Sequence, residues 1–109
     1  MLRGVGASRG RVRGCARVVA RGDGRAPCIA RGEILVAPNA GPDWTAVFPL
    51  LGGLVLDWGA AFRHAALVAR EYGIPAVVMT RETTGAIADG DRVTVDGTRG
   101  VVELARGDV

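Results

Sequence analysis

The chain has 109 residues, 49% of them hydrophobic and 23% charged, a composition that fits one globular domain over residues 1–109 and excludes wholesale disorder. The formal net charge is +3 and every cation is arginine, 14 residues with no lysine. Seven of them fall within residues 3–25, but aromatic side chains for base stacking are scarce, and Arg9, Arg11, Arg13 and Arg17 stand at strand-like spacing among Val and Gly, so a nucleic-acid surface is disfavoured.

Residues 10–20 carry Val12, Val18 and Val19 in weak alternation and read as one or two strands. Residues 21–28 are a loop rich in turn formers. The short apolar run Ile34-Leu-Val-Ala37, between Gly32 and Pro38, predicts a buried strand, and Asp43 is placed to cap a short helix over Trp44–Leu51. Gly53-Leu-Val-Leu-Asp57 is a second buried strand. A loop over Gly59–Arg63 leads into a helix over about 64–72, which Gly73 closes at the position where a left-handed conformation suits glycine. Pro75 cannot continue the helix, and Ala76-Val-Val-Met-Thr80 is a third apolar strand. Strand, loop, helix, glycine, strand is a βαβ signature, so the strands at 53–57 and 76–80 are expected to be parallel. Arg92–Asp96 and Gly100–Leu104 alternate on either side of a Gly97-containing turn and predict a C-terminal hairpin. The first few residues and the tail 106–109 are expected to fray.

No apolar run approaches the roughly 18 residues of a membrane helix, and the start Met-Leu-Arg-Gly lacks a secretory apolar region. Cys15 and Cys28 lack CxxC spacing. These features imply a cytoplasmic, reduced setting with no membrane contact and no structural zinc site.

His64 is the single histidine. At a helix start the first backbone N–H groups have no partner within the helix and, with the helix dipole, favour an anion. The same field disfavours imidazolium and leaves a ring nitrogen with the free lone pair that attack on phosphorus requires. Gly59, Ala60 and Ala61 let the loop approach a ligand closely. A lone histidine at a helix start is also a common cap or half-buried polar residue, so the residues alone leave both roles open.

Several segments resemble one family. Ala7-Ser8-Arg9-Gly10 with Gly14 resembles its opening strand and turn, Gly32-Glu33-Ile-Leu-Val-Ala37 its "GdILVa" strand, and Pro42-Asp43-Trp44-Thr45-Ala-Val-Phe48 its "PxWTpLF" segment. His64-Ala-Ala-Leu-Val-Ala-Arg-Glu-Tyr-Gly-Ile-Pro-Ala-Val78 is similar to the signature, and Asp89-Gly90 with Val95-Asp96-Gly97 to Gly100 to the closing hairpin. The family is the phosphohistidine (mobile, swivelling) domain of phosphoenolpyruvate-utilising enzymes, among them phosphoenolpyruvate synthase, pyruvate phosphate dikinase and rifampicin phosphotransferase. The resemblance implies an α/β fold, a compact swivelling β/β/α domain with strands dominant, a helix starting at the histidine and a C-terminal hairpin.

It further implies that His64 carries a phosphoryl group, as one component of a phosphotransferase. Gly59 and Ala60 would shape the loop, and Arg63 and Arg70 are candidate phosphate neighbours. No cofactor or metal is expected in this chain. ATP with Mg²⁺, or phosphoenolpyruvate, would belong to partners: an ATP-grasp nucleotide-binding domain and a domain binding phosphoenolpyruvate, pyruvate or an acceptor, in the same polypeptide or a separate subunit. The sequence departs from the family at Ala60, where a second glycine is usual, and at Phe62 and Arg63, where the family often has Thr or Leu and then a small hydroxyl or thiol. A guanidinium at Arg63 can pair with phosphate. It equally suits a non-catalytic interaction module that keeps the fold.

Overall fold

The computed structural model describes residues 2–19, 30–37, 47–57, 62–81, 86–88 and 90–104, with residues 62–66 described as backbone. Among the described residues, eight strands and one complete helix follow in chain order. They are β1 (Leu2–Arg3), β2 (Val5–Ser8), β3 (Arg11–Val18), β4 (Ile34–Ala37), β5 (Gly53–Leu56), α1 (Phe62–Tyr72), β6 (Ala76–Val78), β7 (Arg92–Asp96) and β8 (Val101–Leu104), with a 3₁₀ turn at Phe48–Leu50 before β5. The expected loop over 21–28 and the Asp43 cap lie outside the described residues. The described part of the expected 44–51 helix is that single 3₁₀ turn.

The strands form one sheet in the order β1-β8-β7-β3-β4-β5-β6-β2. β3, β4, β5 and β6 are mutually parallel, as the βαβ pattern requires, whereas β7 pairs antiparallel with β3 and β8. The two ends of the sheet, β1 and β2, are consecutive in the chain and separated only by Gly4, so the sheet nearly closes into a ring. The opening residues are therefore structural rather than frayed: Leu2 pairs with Val102, and Val5 with Val78.

Both faces of the parallel strands are buried, which explains their unbroken apolar runs. Successive side chains of a strand point to opposite faces. Ile34, Val36, Val55 and Val77 accordingly join Val93, Val95 and Val102 inside the ring. Leu35, Leu54, Leu56 and Val78 face outward and pack with Phe48, Ala69 and Ile74 beneath α1.

Glycine backbones seal the ring. Gly97 N donates to Gly10 O (2.8 Å) and Gly4 N to Gly100 O (2.9 Å). A side chain on Gly97 would overlap the Ser8 carbonyl oxygen, and one on Gly6 would overlap the Gly97 carbonyl oxygen. The β7–β8 turn thus lies directly on the backbone of β2.

A side-chain clasp joins β3 to the turn before β4. Arg17 Nη2 stands 3.0 Å from Glu33 Oε2, and Ala30 N donates to Glu33 Oε1 (2.8 Å). The Ala30 amide, then Arg17, hold the Glu33 carboxyl below its usual 4.5. A carboxyl lowered in the folded state stabilises the fold above its unfolded value and loses that contribution as pH falls through the folded one. Unfolding free energies from urea titrations of wild type and Glu33→Gln, measured from pH 7 to pH 3, should differ by about 1 kcal/mol at neutral pH and converge below pH 4.5. Curves that stay parallel would show that the clasp contributes nothing through its charge.

Candidate functional site

The histidine lies in the first turn of α1. The helix begins at Phe62, two residues earlier than the sequence suggests, so His64 is its third residue rather than its first. The correction has a simple cause: Gly59-Ala-Ala-Phe-Arg63 offers no Ser, Thr, Asp or Asn to mark a boundary. Its consequence is small, because the first four N–H groups of a helix all lack intrahelical acceptors and His64 remains among them. No acidic residue stands in this first turn to neutralise the dipole.

Topology sets the turn at a definite edge. β5 and β6 are parallel, and α1 runs back between them. The start of α1 therefore lies outside the carboxyl ends of the parallel strands, where open α/β sheets present their ligand sites. The far end of α1 closes as a Schellman motif, with Ile74 N donating to Ala69 O (2.9 Å), Gly73 N to Arg70 O (3.3 Å), and Gly73 at φ +69°. The far end of the helix is thereby tied to the turn that leads into β6.

The predicted site residues separate in space. Gly59 and Ala60 lie outside the described residues, and Arg63 adjoins His64 in the helix backbone. Arg70 is six residues on, about 9 Å further along the axis. Its Nε donates to Ala7 O (2.8 Å). Ala7 is the extra residue where the β2–β6 register shifts between Gly6 and Ser8, so its carbonyl has no strand partner in the ladder. Arg70 thus satisfies a bulge carbonyl and ties α1 to β2. It also lines a groove with Ser8, Arg9 and Thr98 at the helix end remote from His64.

The edge beside the first turn carries three residues that sequence reasoning passes over. Asp57, immediately after β5, is buried. The Thr80 hydroxyl lies 3.2 Å from Asp57 Oδ1 and 3.3 Å from Leu56 O. Arg81 N donates to Asp57 O (2.8 Å). Asp57 and Thr80 close strands in the sequence and so read as strand ends; their pairing follows from the parallel register of β5 and β6. On either side of Thr80, Met79 (φ +63°) and Arg81 (φ +72°) occupy the left-handed region. Neither residue type signals that conformation, which side chains other than Asn and Asp rarely adopt.

With this geometry established, comparison with known proteins gives the family. Residues 29–100 match the model of the PEP-utilising enzyme, mobile domain. The chain belongs to that family. It is 50% identical over 101 residues to chondramide synthase of Chondromyces crocatus, a match covering 93% of this chain and 3% of the relative. It is 43% identical to the phosphoenolpyruvate synthase of Aeropyrum pernix and 41% to the rifampicin phosphotransferase of Streptomyces sviceus, each covering 94% of this chain and 12% of the relative. Among solved structures, an Enzyme I protein superposes with a TM-score of 0.66 at 30% identity, over 73% of this chain and 33% of that one. A mobile domain thus spans only a small part of each of these longer relatives, and the strand-dominated near-ring with one helix is the family's fold.

Proposed function

We propose that the mobile domain is a phosphoryl carrier and that His64 is the carrying residue. The observation that bears most weight is the position of His64 in the first turn of α1, at the carboxyl edge of the parallel strands. In the reaction, a lone pair on a neutral imidazole nitrogen attacks the phosphorus of the donor's transferable phosphoryl group. An N–P bond forms, the donor's P–O bond breaks, and the electron pair leaves on the departing oxygen. The proton on the other ring nitrogen stays in place. The reverse sequence delivers the group to an acceptor oxygen. Unpartnered N–H groups at the helix start stabilise the phosphoryl charge in the loaded state. Donor and acceptor sites belong to partner domains: an ATP-grasp site with ATP and Mg²⁺, or a phosphoenolpyruvate site, and a small-molecule acceptor site.

Incubation with a cognate ATP-grasp partner and ATP labelled in the transferable phosphate should give acid-labile, alkali-stable label. His64→Ala should reduce that label to background while the protein stays folded. The competing interaction-module reading draws on Arg63 beside His64. It gains if wild type takes no label from a partner that phosphorylates another carrier.

A further inference from the structure

We propose that Arg81 is a phosphate-contacting residue of this carrier, a role that rests on the reading of His64 above. Three observations converge on it. The first is placement. Arg81 follows β6 at the carboxyl edge of the parallel strands, the edge at which α1 begins. Its main chain is bonded to Asp57, from which the chain leaves β5 toward His64. Adjacent strands lie about 4.8 Å apart, so the base of the Arg81 side chain stands one strand spacing from the start of the segment that delivers the histidine.

The second observation is availability. Arg81 is exposed, and among the described residues no side-chain hydrogen bond or ion pair engages its guanidinium. Arg70, the arginine of α1 whose side chain is described, is committed to the Ala7 carbonyl at the opposite helix end.

The third is conformational cost. Arg81 is held at φ +72°, where a side chain with a Cβ is disfavoured and glycine is not. The buried Asp57–Thr80 pair and the Arg81 N–H bond to Asp57 O accompany that conformation. An arginine kept where glycine fits better serves the fold poorly, and strain of this kind concentrates at functional sites. Arginine supplies a planar, permanently charged fork suited to phosphoryl oxygens. The helix N–H groups and this fork would bear on the same group from two elements.

The strain makes the test unusually clean. Arg81→Gly removes the charge and relieves the backbone, so its Tm should equal or exceed that of wild type. Arg81→Asn also tolerates the left-handed region and supplies a second uncharged variant. With the ATP-grasp partner and labelled ATP, both should acquire label on His64 about tenfold more slowly, the effect of losing one charge-assisted contact. Arg81→Lys should recover part of the rate. Loss of threefold or more in both uncharged variants supports the role. A folded uncharged variant that labels within threefold of wild type overturns it. Wild type that takes no label removes the carrier reading itself, a failure seen without any variant.

Discussion

Gly97→Ala is expected to prevent the ring from closing, with a loss of roughly 3–5 kcal/mol, among the largest single-residue effects the fold offers. Gly97 does not occupy the left-handed region, so its backbone suits any residue; the cost comes from space alone. An added methyl would overlap the Ser8 carbonyl oxygen and stand 2.9 Å from Ala76 N. Both are backbone atoms of paired strands and have no rotamer to change. Relief requires the turn to lift, which breaks the bonds of Gly97 N to Gly10 O and Gly10 N to Thr98 Oγ1. In thermal melts the variant should lose roughly 15 °C or more. A loss below about 3 °C would mean that the turn repositions freely. Gly73→Ala provides the contrast: that glycine has open space around it but a φ of +69°, so its cost is conformational, about 1 kcal/mol.

Phe48→Ala should cost about 3–5 kcal/mol by leaving a cavity under the helix. Phe48 is 1% exposed and is among the largest fully buried side chains among the described residues. It shares its cluster with Leu35, Leu54, Leu56 and Ala69, so it touches the strand that precedes the histidine segment and the helix that follows. Domains of this size are stable by only about 5–15 kcal/mol, and the loss takes a large share of that. Chemical denaturation with an unchanged slope would report it as a shift in midpoint. Hydrogen exchange should show α1 opening preferentially. Uniform loss of protection across the ring, with α1 no more affected than β7, would contradict the assignment of Phe48 as the support of that helix.

The fold was legible in the sequence wherever its signal was local. Ile34–Ala37, Gly53–Leu56 and Ala76–Val78 are short apolar runs because both of their faces are buried; all three read directly as buried strands, and the βαβ pattern marks the last two as a parallel pair. Gly73 with Pro75 marks the helix end through chemistry confined to a few residues. β1 and β2 escaped that reading. They are two and four residues long, and Gly4 and Gly6 weaken any strand pattern. Gly6 answers to the distant β7–β8 turn and Gly4 to the Val78 carbonyl of β6, demands that no local window carries. The site divides in the same way. His64 stood out as the single histidine before an amphipathic helix. Arg70 was grouped with it by nearness in sequence, yet the helix sets the two about 9 Å apart along its axis. Arg81 is seventeen residues from His64 in sequence, and only the parallel register brings it to the same edge.

The near-closure of the sheet has a mechanical consequence. Leu2 and Val102 are paired neighbours, so flanking polypeptide on either side of the domain would attach at one corner. β5, which leads to His64, stands four strands from β8 through β7, β3 and β4. Through β1, β2 and β6 it is again four, and so it lies across the ring from that corner. The body measures 37 × 25 × 24 Å. If the domain turns about that corner, as the proposed carrier role requires, the start of the histidine segment would sweep a longer arc than the strands beside the attachment.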